Sequence, residues 1–112
     1  MFVYPAGTSL VSGDGLGGST GMKYVLTYES IEDSGPLFEQ HAAAHIKHID
    51  DYHQRGELLM IGPLQEPFNG DALSIFVSQE SAEAFAKDDP IVVHGVIKNW
   101  NVRPWREVLS GD

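Results

Sequence analysis

The chain has 112 residues and a mass of 12.3 kDa, enough for one compact domain with a modest core. Seven basic residues stand against 16 acidic ones, for a formal net charge of -9, and there is no cysteine. This excludes the basic stripe that a nucleic-acid or anionic-membrane binder needs, and with it disulfides, a thiolate nucleophile and Cys-ligated metal centres.

No apolar run approaches the ~20 residues of a membrane span, so no membrane partner is expected. A reducing, cytoplasmic compartment fits the absence of cysteine. Residues 1–21 carry half of the glycines and read as a flexible leader ahead of a domain over residues 22–112. The stretch Gly13-Asp14-Gly15-Leu16-Gly17-Gly18 echoes a phosphate-binding loop but lacks the preceding strand and following helix that such a loop requires.

From Met22 the pattern changes. Lys23–Tyr28 is β-branched and aromatic, as a first strand should be, and Gly35-Pro36 punctuates the turn after it. Leu37 to Arg55 has helical periodicity and ends at Gly56. Glu57–Ile61 reads as a short buried strand, and Ala72–Val77 as a third after the Asn69-Gly70-Asp71 turn. Ser78 is a natural N-cap for a helix to about Lys87, which Asp88-Asp89-Pro90 ends because the residue before proline avoids the α region. Ile91–Gly95 makes a linking turn, Val96–Arg103 a last strand, and Pro104 begins a tail.

The order β-α-β-β-α-β predicts an α+β, ferredoxin-like sandwich: a four-stranded antiparallel sheet with helices on one face. Strands apolar on both sides leave the uncovered sheet face hydrophobic, and a second copy of the chain is the simplest cover. A homodimer is expected.

The first helix carries the informative histidines. At 100° per residue its apolar face collects Phe38, Ala42, Ile49 and Tyr52, with Ile46 at one flank and His45 in the middle; His41 and His48 lie at the margin. Three readings of His45 stand side by side. It is a buried imidazole satisfied by backbone or water, a metal ligand with His41 and His48, or a general acid–base oriented by Asp88 or Asp89. A metal set wholly on one helix lacks a converging ligand from elsewhere, so no metal is expected.

His45, Gly56, Leu58-Leu59 and Gly62-Pro63-Leu64 together resemble the core of the YciI-like (YCII-related) family. The second half adds Phe76, Ala84-Phe85-Ala86, Asp89-Pro90, Gly95-Val96, Val102 and Pro104, so the resemblance runs from about Met22 to Leu109. It implies a ferredoxin-like fold pairing as a dimeric α+β barrel, and a His–Asp pair at the positions of His45 and Asp89. Relatives with known chemistry include a dehydrochlorinase of chlorinated muconate-type acids, and the wider superfamily includes muconolactone isomerases, monooxygenases and haem-binding proteins. Many members place an aromatic residue after the Asp-Pro, whereas Ile91 stands there in this chain.

A His–Asp pair with no activated serine or cysteine beside it suits a proton shuttle better than covalent catalysis. The expected activity is that of a cofactor-independent lyase or isomerase acting on a small, carboxylate-bearing molecule. His45 serves as base, Asp89 orients it, Arg103 or Lys98 binds the anion, and Ser74 and Tyr24 line the pocket. His94 reads as a loop residue. The competing class is a noncatalytic binding or regulatory dimer in which His45 and Asp89 only satisfy each other. No cofactor motif is present; a haem or oxygen-using variant would need a deep aromatic pocket and a free axial histidine.

Overall fold

The structure is a computed structural model that describes residues 21–109. The expected leader, apart from Gly21, lies outside the described residues. Seven elements follow one another: β1 (Met22–Ser30), α1 (Gly35–Gln54), β2 (Leu58–Pro63), β3 (Ala72–Phe76), α2 (Gln79–Asp88), α3 (Pro90–Val93) and β4 (Ile97–Arg106). All strand pairings are antiparallel and the sheet order is β2-β3-β1-β4, the ferredoxin-like arrangement that the element order predicts.

Pairing register decides which side chains meet the helices. Leu26 pairs with Ser74 and Val102, Tyr24 with Phe76, and Tyr28 with Ala72 and Trp100, so these residues share one face. The alternate positions, among them Val25, Thr27, Leu73, Asn101 and Arg103, face the other way, because side chains on a strand alternate. Leu26, Leu58, Phe76, Phe85 and Val96 are almost completely buried between sheet and helices. At the centre of that core the rings of Tyr52, Phe76 and Phe85 meet edge-on or tilted, with Tyr52 and Phe76 each 5.2 Å from Phe85. Each buried Phe contributes roughly 1.5–3 kcal/mol through removal of apolar surface from water.

Several element ends shift by a few residues from expectation, and two of the differences have clear reasons. Pro104 does not end β4 but pairs with Tyr24 inside it, and the strand runs on to Arg106. β4 is an edge strand, so a residue without an N–H is tolerated there. The expected link after Pro90 contains a single helical turn, α3, with Pro90 at its first position and Asp89 as its N-cap. Ser78 caps α2 as expected, its side chain accepting from the Ser81 N–H at 3.0 Å.

Candidate active site

Asp89 owes its position to the proline behind it. Pro90 keeps Asp89 out of the α region, at φ -65° and ψ 125°, so α2 stops and α3 starts at one residue. The Asp89 side chain folds back to accept from the Ile91 N–H at 3.2 Å, and is completely buried. A carboxylate in that environment needs further donors, and two neighbours supply them. Nδ1 of His45 lies 2.8 Å from Oδ1, and the Tyr28 O–H donates to Oδ2 at 2.6 Å. Asp88, the other carboxylate considered from sequence, is exposed.

This arrangement fixes the tautomer of His45. Asp89 already accepts from Tyr28 and Ile91, and an ionised carboxylate can only accept, so Nδ1 of His45 carries the hydrogen that bridges to Oδ1. In the neutral ring Nε2 then carries the lone pair. It has no hydrogen-bond partner among the described residues, yet it is not a sealed, unsatisfied atom; among the described side chains that description applies to Ser30 Oγ. His45 is only 9% exposed and packs edge-on against Phe38. The remaining opening leads into a cleft of about 1160 Å³ bounded by α1, β1, the loop before β3 and the segment from Ile91 to Lys98.

Tyr28 is the member of the site that motif reading missed. Its signal was its position on β1, two residues from Leu26 and hence on the helix-covered face, where a phenol O–H requires a partner. Burial, then the negative charge of Asp89 and the hydrogen bond to it, push the Tyr28 phenol far above its usual range. It is a fixed donor, not a proton shuttle.

Of the other candidates, Ser74 is buried and lines the cleft, and Lys98 stands at its edge 3.4 Å from Glu29. Tyr24 lies on the same sheet face but does not line the cleft. Arg103 pairs with Val25 on the opposite face of the sheet, where it is exposed, so this chain does not bring it to His45.

The helix-one histidines diverge. His41 stacks on His94 with ring centroids 4.1 Å apart, His45 turns to Asp89, and the His48 Nε2–H donates to the Phe85 carbonyl at 2.9 Å. Among the described residues, no cluster of three or more His, Cys, Asp or Glu side chains is arranged to hold a metal ion. None of the described helices is long and apolar enough to cross a membrane.

Comparison with known proteins gives a consistent picture. The model of the YCII-related domain matches residues 22–106. Protein YciI from Escherichia coli O6:H1 and from Shigella flexneri are each 29% identical over 98 residues, covering 79% of this chain and all of theirs. Among solved structures, the 5-chloro-2-hydroxyhydroquinone dehydrochlorinase TftG from Burkholderia phenoliruptrix, in complex with 2,5-dihydroxybenzoquinone, superposes with a TM-score of 0.62. It is 15% identical, and the match covers 75% of this chain and 93% of that one. The likeness to that enzyme is one of fold.

Proposed function

The chain belongs to the YCII-related domain family, and we propose that it is a small-molecule lyase or isomerase working by acid–base chemistry at the buried His45–Asp89 pair. The observation that carries this reading is His45 held through Nδ1 by a buried carboxylate while Nε2 opens to a cleft. A purely structural histidine has no need of that opening.

In the proposed reaction Nε2 removes a proton from carbon next to a carbonyl, and the C–H electron pair moves into the carbonyl as an enolate. The imidazolium so formed is stabilised by Asp89, which Tyr28 and Ile91 hold still. Return of the proton at a different carbon completes an isomerisation. Departure of a leaving group with its electron pair completes an elimination, the type of reaction that the name dehydrochlorinase denotes for TftG. His45 hydrogen-bonds only to Asp89 among the described residues, so no serine stands ready as a nucleophile.

A homodimer belongs to the same proposal. The sheet face away from the helices carries Val25, Leu73, Met60 and Trp105, and the last two are 41% and 46% exposed. Pairing two such faces into a dimeric α+β barrel would bury them. The absence of cysteine suits a cytoplasmic protein.

The test is turnover: chloride release from chlorinated hydroxyhydroquinones, and wash-in of solvent deuterium at carbon next to a carbonyl. His45→Ala should lower the active reaction by about 10²–10⁴, the usual worth of a positioned base. Undiminished turnover in that variant would overturn the assignment and leave a binding module.

A further inference from the structure

The cleft that reaches His45 has a strongly one-sided rim. Glu29, Glu32, Asp33, Glu39 and Asp71 line it, against Lys98 as the one lysine or arginine among the described lining residues. Five carboxylates less one ammonium leave four net negative charges, and Lys98 already sits 3.4 Å from Glu29. The arginine that would have received an anionic substrate, Arg103, lies across the sheet.

We propose that the cleft takes its substrate as an uncharged molecule, and that it discriminates against the carboxylate-bearing compounds that the sequence suggested. This rests on the acid–base reading of His45, and the chemistry of that step points the same way. An uncharged substrate that gives its proton to Nε2 becomes a monoanion beside a new imidazolium, so the charge created is neutralised within the site. A carboxylate substrate would become a dianion, and the described rim offers no free cation to meet it. Apolar side chains at the cleft wall, Phe38, Ile49, Ile61 and Ile91, suit the body of an uncharged ring or short carbon skeleton.

The experiment uses two alkylating reagents of nearly equal size, uncharged iodoacetamide and anionic iodoacetate. With no cysteine in the chain, histidine alkylation can be followed at the His45 peptide by mass spectrometry, with N-acetylhistidine as the intrinsic reference. After correction by that reference, iodoacetamide should modify His45 roughly five- to tenfold faster than iodoacetate at low salt. The preference should shrink to within about twofold at high salt, where screening shortens the reach of rim charge. The triple variant Glu32→Gln, Asp33→Asn and Glu39→Gln should shrink it as well, since these three are exposed lining residues that make no hydrogen bond to His45 or Asp89.

Iodoacetate reacting as fast as iodoacetamide, or faster, would overturn the charge inference while leaving the acid–base site intact. Failure of both reagents at His45, with the exposed His94 modified normally, would show that Nε2 cannot be reached. That result would overturn the proposed function and the charge inference with it.

Discussion

The Tyr28 hydroxyl donates to Asp89 Oδ2 across 2.6 Å, joining the first strand to the junction between the second and third helices. The same carboxylate receives His45 from the first helix. Three segments distant in sequence therefore converge on one buried group, and its loss should be felt both in stability and at the ring of His45.

Asp89→Ala removes the acceptor and strands three donors, the Tyr28 O–H, the His45 Nδ1–H and the Ile91 N–H. Unfolding in urea should show a loss of about 3–5 kcal/mol, the range for breaking a buried charged network by deleting one partner. Asp89→Asn keeps the volume and should cost less, about 1–3 kcal/mol. Equal stability of wild type and Asp89→Ala would mean that the three hydrogen bonds contribute nothing net.

Tyr28 sets a pH dependence at the alkaline end. In the unfolded chain a phenol gives up its proton near pH ~10, whereas burial and Asp89 hold the proton on Tyr28 in the folded protein. Above that pH the unfolded state binds fewer protons, so stability that is fully present below pH ~10 declines as pH rises, by up to about 1.4 kcal/mol per unit. Tyr28→Phe abolishes this contribution. Urea midpoints for the two proteins should lie further apart near neutrality than at strongly alkaline pH. A constant gap would contradict the assignment.

Much of this architecture is legible in the sequence because local and global signals agree. The Ser78 cap, Gly56 after the first helix and Asp89-Pro90 each mark an element end by a backbone rule that the fold obeys. His45 stands out by its place on an apolar helix face; Pro90 marks Asp88 and Asp89 together, and the family resemblance picks out Asp89. What is not legible depends on strand register. Arg103 and Tyr28 are both strand residues, and only pairing with Val25 on one side and Trp100 on the other shows which faces the helices. A one-residue difference in parity turns a side chain from the cleft to the opposite face. The third helix went unread because four residues give too short a pattern for periodicity to register.

Gly70 is a test of the cleft wall. Its φ is 95°, and a Cβ there would lie 2.7 Å from Ser34 Oγ and 2.9 Å from Ser30 Cβ. Gly70→Ala should therefore destabilise the fold by more than about 1 kcal/mol, from backbone strain and overpacking together. A neutral effect in thermal unfolding would show that this loop is free to shift away from β1.

The exposed sheet face gives a prediction on assembly. Light scattering should return twice the mass of a 12.3 kDa chain. Val25→Asp together with Met60→Lys, on that face, should yield a monomer that retains the His45–Asp89 bond. A wild-type monomer across micromolar concentrations would contradict the dimer.

On the proposed reading, Asp89 holds His45 with its proton on Nδ1 and leaves Nε2 as an accessible base. Long-range proton–nitrogen NMR spectra of the histidine rings, recorded across a pH series, test it most directly. In the wild type His45 should show the Nδ1–H tautomer, and Asp89→Asn should release that preference. A His45 that shows the Nε2–H tautomer, or whose tautomer ignores Asp89→Asn, would overturn this reading and make the pair a structural feature of the core.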